Sequence, residues 1–127
     1  MIDAILDASA LMALINDEPG ALAVAEALPS SAIGVVNLAE ACSVMQMRGL
    51  SADVIETILG SLPLTAIDAD QGLAVAAGLL RGRTSHRGLS LGDRFCLALA
   101  AREKLPVYTA DRAWADLGLD LDIRLIR

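Results

Sequence analysis

Apolar positions along this chain alternate between short compact runs and longer stretches with helical spacing. Ile2 to Leu6 is a compact run that predicts a buried strand, followed by a helix carrying Leu11, Leu14 and Ile15. Pro19 opens a second helix with Ala21, Val24, Ala25 and Leu28 at the i, i+3, i+4, i+7 positions of one face. Ala32 to Val36 reads as the next strand, and Asn37 as the cap of a helix with Leu38, Ala41, Cys42 and Met45 on one stripe. Gly49 ends that helix and Ser51 starts another, with Ile55, Ile58, Leu59 and Leu62 facing inward. Leu64 to Ile67 is a short strand, and Leu73, Ala76, Ala77 and Leu80 mark a further helix.

A polar loop is expected over Arg81 to Gly88. Ser90 then caps a helix that is apolar on nearly every face through Phe95 to Ala101, which places it at the centre of the fold. Pro106 to Thr109 is a strand, Ala113 to Leu117 a short helix and Leu121 to Ile126 a last strand. Strands alternating with helices give an α/β fold of three layers, with a mainly parallel central sheet and helices on both faces. No repeat, linker or low-complexity tract interrupts the pattern, so residues 1–127 are expected to form a single domain.

Composition narrows the class. At 127 residues and 55% hydrophobic, the chain can build one sizeable core and is no disordered tail. The longest uncharged stretch, Ala27 to Ala39, is broken by Pro29 and Asn37 and falls short of the roughly 20 apolar residues of a membrane span. Asp3 stands where a secretory leader would be basic. Cys42 and Cys96 sit in apolar, helix-like stretches, and two buried thiols point to a reducing cytoplasm.

Four acids fall near the carboxyl ends of predicted strands or at the helix starts facing them: Asp7, Glu40, Asp93 and Asp111. In an open parallel sheet that edge is where ligands bind. Each acid also suits a purely local role. Asp7 and Asp111 fit helix N-caps, and Asn37-x-x-Glu40 and Ser90-x-x-Asp93 have the spacing of capping boxes. Four convergent carboxylates repel one another unless cations lie between them, and Mg²⁺ or Mn²⁺, which prefer oxygen ligands, suit that position.

The segments Leu6-Asp7-Ala8-Ser9-Ala10-Leu11, Val36-Asn37-Leu38-Ala39-Glu40, Leu89-Ser90-Leu91-Gly92-Asp93-Arg94 and Thr109-Ala110-Asp111-Arg112 resemble, in order and spacing, those of the PIN-domain family. They are most similar to the VapC toxins of toxin–antitoxin pairs. The resemblance spans essentially the whole chain. It implies a metal-dependent endoribonuclease with Asp7, Glu40, Asp93 and Asp111 as its catalytic and metal-binding acids, chiefly Asp7 and Asp93. It also implies supporting polar roles for Ser9 and Thr109, a further acid at Asp116 in some relatives, a VapB-type antitoxin as partner, and a homodimer.

The other chemistries fit less well. His86 is the only histidine, so a paired-histidine RNase mechanism is excluded within one subunit. Cys42, Cys96 and His86 lack the paired spacing of a zinc site, and buried thiols make poor nucleophiles. A phosphoacceptor receiver domain would need Asp7, Asp68 and Lys104, but Asp7 has no adjacent acid and Lys104 precedes a strand rather than following one. A housekeeping PIN ribonuclease, or a PIN module that only binds partners, stays open.

Charge is unevenly spread. The net charge is −6, yet seven of the ten Lys and Arg lie between Arg81 and Arg112. Arg81, Arg83 and Arg87 are therefore candidates for RNA phosphate contact, with a solvated surface as the alternative. With Trp114, Tyr108 and Phe95 the only aromatics, base stacking can add little.

Overall fold

In the computed structural model, which describes residues 1–127, strands Ala4–Leu6 (β1), Ser31–Gly34 (β2), Thr65–Ile67 (β3), Val107–Thr109 (β4) and Ile123–Leu125 (β5) form one sheet. Its order is β3-β2-β1-β4-β5, and every pairing is parallel. The chain winds outward from β1 to β3, then returns to place β4 on the other side of β1. The topological switch point therefore lies between β1 and β4, where a crevice opens beyond the carboxyl ends of the strands.

The helices are Ala8–Ile15 (α1), Ala21–Ala27 (α2), Val35–Met47 (α3), Ala52–Ser61 (α4), Gln71–Leu79 (α5), Arg81–Thr84 (α6) and Leu91–Glu103 (α7). Successive strand side chains point to opposite faces, and the core divides accordingly. Ile5, Ala32 and Val107 pack with Leu73 and Ala77 of α5, the apolar length of α7, and Trp114. Leu6 faces the other way, onto Ala10, Ala13, Val24 and Leu28 of the α1–α2 pair and its following turn. Ile33 joins Leu11, Met12, Ala41, Met45 and Ile55 from α1, α3 and α4. A sheet covered on both faces needs strands apolar on both sides, and β1 is buried at all three positions.

The structure revises several local expectations. The second strand stops at Gly34, and Val35 and Val36 already belong to α3. Gly34, not Asn37, is the residue before that helix, so Asn37 falls in its first turn and forms no capping box with Glu40. The segment expected as a polar loop, Arg81 to Gly88, is ordered as α6 followed by a 3-10 turn over Ser85–Arg87. It lacks the apolar periodicity that marks a helix from sequence. The short helix expected at Ala113 to Leu117 is a 3-10 turn, Arg112–Asp116. Cys96 is buried, whereas Cys42 is only half-buried. No helix is long and apolar enough to cross a membrane.

Candidate acidic active site

Asp7 is the first residue after β1 and the N-cap of α1. Its Oδ1 accepts from the Ala10 N–H at 2.8 Å and from the Ser9 hydroxyl at 2.7 Å, while Oδ2 accepts from the Thr109 hydroxyl at 2.6 Å. Each hydroxyl has one proton, and both are committed to Asp7. Their oxygens in turn accept backbone N–H groups, Ser9 from Ala110 at 2.9 Å and Thr109 from Asp111 at 3.0 Å. The start of α1 is thereby tied to the end of β4, across the switch point. Ser9 and Thr109 therefore act as supports that hold Asp7 in place.

Asp7 is 4% exposed. Burial pushes its pKa from the ordinary 3.8 to about 6; the three hydrogen bonds oppose that rise, and the charge of Asp93 adds to it. Glu40, one turn into α3, is also raised, first by burial and then by Asp93, against the pull of a hydrogen bond from Asn37. No Lys or Arg pairs with Asp7, Glu40 or Asp93.

Asp93 enters through a capping box. Its N–H donates to Ser90 Oγ at 3.1 Å, and its Oδ2 accepts from the Ser90 N–H at 2.9 Å. Asp111 precedes the 3-10 turn, where its Oδ1 accepts from the Ala113 N–H at 3.0 Å. The local cap roles of Asp7, Asp93 and Asp111 are therefore real, and they fix the orientation of carboxylates that also share a cleft.

That cleft, of about 340 Å³, is walled by Asp7, Ser9, Glu40, Asp93 and Asp111, with Glu18, Arg48 and Arg127 completing it. Four carboxylates drawn from four separated segments thus meet at the switch point. No three of them close into a preformed ligand shell. Their donor chemistry fits Mg²⁺ or Mn²⁺, since the cleft offers carboxylate oxygens without thiol or imidazole, and Mg²⁺ keeps several waters on one or two carboxylates.

Two further residues shape the site. Asn37 is fully buried, and its Nδ2 donates both to Glu40 Oε1 at 2.8 Å and to the Gly92 carbonyl at 2.9 Å. It locks α3 to the start of α7, and so Glu40 to Asp93. Gly92 leaves the room for this approach, since a Cβ there would overlap the Glu40 carboxylate. The Asn37-x-x-Glu40 spacing is visible in the sequence, but it signals a side-chain pair rather than a cap.

Other candidates lie elsewhere. Asp116 does not line the cleft; it is exposed and pairs with Arg87 at 3.3 Å. Arg83 borders a different cavity, between α5, α7 and the segment Leu119–Leu121, and Arg81 is an exposed residue of α6. Cys96 lies beneath the acids with its thiol pKa pushed well above the ordinary value by burial and by their charge, which removes it as a nucleophile.

Fold and cleft together define an α/β domain that gathers carboxylates at a sheet switch point. The model of the PIN domain matches residues 4–119, and the chain belongs to the PIN-domain family. The ribonuclease VapC42 of Mycobacterium tuberculosis is 33% identical over 106 residues, covering 76% of this chain and 81% of that protein. The crystal structure of M. tuberculosis VapC20, described as a sarcin–ricin loop cleaving toxin, shares the fold with a TM-score of 0.78 at 18% identity, covering 92% of this chain and 96% of that one. DNA-bound VapBC from Salmonella typhimurium matches with a TM-score of 0.77 at 17% identity, over 100% of both chains.

Proposed function

We propose that this protein is a VapC-type endoribonuclease, the toxin of a toxin–antitoxin pair, hydrolysing RNA phosphodiesters with Mg²⁺ or Mn²⁺. The observation that carries this reading is the meeting of Asp7, Glu40, Asp93 and Asp111 in one cleft, with no Lys or Arg paired to the first three. Membership of the PIN-domain family and the likeness to VapC42 support the RNA substrate.

The protein's own part is positioning. Ser9, Thr109 and the Ala10 N–H hold Asp7 with an edge of its carboxylate toward the cleft. Asn37 holds Glu40, and the Ser90 box holds Asp93. Asp7 and Asp93 are the chief metal ligands in this reading, with Glu40 and Asp111 completing the set. A bound divalent ion supplies activation of water and neutralisation of phosphate charge. Arg81, Arg83 and Arg87, outside the cleft, are an outer contact surface for an extended strand.

The partner follows from the same site. The solved relatives include VapBC complexes, and a pocket of carboxylates invites an Arg or Lys from a VapB-type antitoxin. Exposed Leu22 on α2 and Val54 on α4 offer apolar anchors for such a chain, and exposed Val75 and Leu79 on α5 suit a homodimer face.

Purified protein should cut RNA with Mg²⁺ or Mn²⁺ and stop with a chelator, leaving 5′-phosphate and 3′-hydroxyl ends. Cleavage that persists in EDTA from a contaminant-free preparation, or a 2′,3′-cyclic phosphate product, rejects the mechanism. Production of the protein alone should arrest growth, and the product of the adjacent gene should relieve it. A harmless, well-expressed protein that still cleaves RNA would instead be a housekeeping PIN ribonuclease.

A further inference from the structure

The acidic cleft has a second wall of opposite charge, made from residues the sequence gives no reason to join. Arg127 Nη1 donates to Glu18 Oε1 at 3.1 Å and to the Pro19 carbonyl at 3.0 Å. Arg48 Nη1 approaches Glu18 Oε2 at 4.0 Å. All three residues line the same cleft as Asp7, Glu40, Asp93 and Asp111. Glu18 is thus a shared anchor between two guanidinium groups, and its own pKa is lowered, first by the hydrogen bond from Arg127.

Backbone geometry holds this wall in place. Gly20 adopts φ +97°, and a Cβ there would sit 2.6 Å from the Ile126 carbonyl oxygen, so the turn between α1 and α2 lies directly against the end of β5. Ile126 is buried among Ala10, Ala13 and Val24, and its N–H donates to the Thr109 carbonyl at 3.0 Å. Arg127 therefore leaves the sheet beside the strand end that carries Thr109 and Asp111. Arg48 approaches from the opposite side, as the residue closing α3, the helix that carries Glu40.

Each guanidinium uses only Nη1 in these contacts, and the Arg48 side chain makes no hydrogen bond at all. A guanidinium carries five N–H donors in a fork that matches a phosphate. Both side chains are partly exposed, Arg48 at 54% and Arg127 at 35%. We infer that Arg48 and Arg127, spaced by Glu18, form a phosphate-binding subsite that seats the RNA backbone next to the scissile bond. The inference rests on the endoribonuclease reading for its substrate. In contrast to the acids, which need cations to tolerate a phosphate, this wall meets the flanking phosphates directly. Glu18 anchors both arginines and competes with phosphate for them, which limits how tightly they hold product.

The test measures binding of a short, mixed-sequence single-stranded RNA to the full chain carrying Asp93→Asn, across a salt series. Combining Arg48→Gln with Arg127→Gln should weaken binding and flatten the slope of log affinity against log salt by about 1.4, about 0.7 for each phosphate that is no longer neutralised. Glu18→Gln should act in the opposite direction and tighten binding, because it removes the competing anion. Arginine-to-lysine replacements should restore much of the slope. With Asp93 intact, cleavage by the double variant should show a raised KM with a smaller change in kcat. An unchanged salt slope in the double variant, or weaker binding in Glu18→Gln while its melting temperature holds, overturns the subsite and assigns the three residues to a structural clasp. If the wild type fails to cut RNA while the slope still flattens, the subsite stands and the nuclease reading falls. If it cuts normally and the slope is unmoved, the reverse holds.

Discussion

The Thr109 hydroxyl donates to Asp7 Oδ2 across 2.6 Å, joining two adjacent strand ends whose residues lie 102 positions apart. The same oxygen accepts the Asp111 N–H at 3.0 Å, so one hydroxyl orients two of the four acids. Thr109→Val keeps the shape and deletes both bonds. The donor that favours ionised Asp7 is then missing, so the pKa of Asp7 should climb above about 6. The acid limb of the pH–rate profile should move to higher pH, with stability lowered by roughly 1–3 kcal/mol for the buried groups left unpaired. Thr109→Ser should keep the wild-type profile. A Val variant with an unmoved acid limb would show that Thr109 does not govern Asp7.

Burial of Asp7 predicts a definite sign for stability against pH in the absence of metal. Its folded pKa, about 6, lies above the ordinary 3.8, so the folded state holds the proton more tightly. This contribution is fully present below the unfolded pKa and is lost as pH rises through the folded value. At about 1.4 kcal/mol per pKa unit, the ionised fold gives up on the order of 3 kcal/mol between pH 4 and 6. Chemical denaturation of Asp7→Asn should lack this decline, and above pH 6 the variant should be the more stable apo protein. Added Mg²⁺ or Mn²⁺ should stabilise wild type more than the variant.

Asp93 carries two roles that substitution can separate. Asp93→Asn retains an oxygen to accept the Ser90 N–H and should leave the fold intact while removing most metal-dependent activity. Asp93→Ala also breaks the capping box and should cost about 1 kcal/mol more in stability. Thermal melts and cleavage assays on the pair check this. Unfolding of the Asn variant would reduce Asp93 to a cap.

Gly92 and Asn37 should report on Glu40 without touching a phosphate. Gly92→Ala introduces a Cβ where the Glu40 carboxylate lies, so that carboxylate must turn away. Activity should fall at least tenfold, with a melting temperature loss smaller than that of Asn37→Ala. The latter strands the Gly92 carbonyl and should cost roughly 1–3 kcal/mol. Equal activity in Gly92→Ala and wild type would remove Glu40 from the working site.

Much of this architecture is legible in the sequence because its causes are local. The apolar run at Ile5 and Leu6, the Gly49 break and the Ser90-x-x-Asp93 box each involve residues a few positions apart, and hydrogen bonds over such spans leave a fixed spacing in the chain. The resemblance of four short segments to the PIN-domain family extends that reading to all four acids. Asn37 reads as a cap because its second partner, the Gly92 carbonyl, lies 55 positions away. The ordered turns from Arg81 to Arg87 read as a loop because their side chains show no apolar period.

By itself, the sequence determined the alternation of strands and helices and the burial of the α7 stripe, and it singled out the four acids as candidates. These follow from periodicity, capping chemistry and the segments shared with a family. Only the tertiary structure decided which charges meet. The order β3-β2-β1-β4-β5 sets β4 beside β1, and with it Thr109 against Asp7 and Arg127 near the cleft. It also separated Asp116 and the Arg81–Arg87 segment from that cleft. A charged residue near a helix end or strand end looks like solvated surface from any local window. Whether it faces water or a row of carboxylates depends on strand order and on close approaches such as Gly20 against Ile126, which arise between segments distant in the chain.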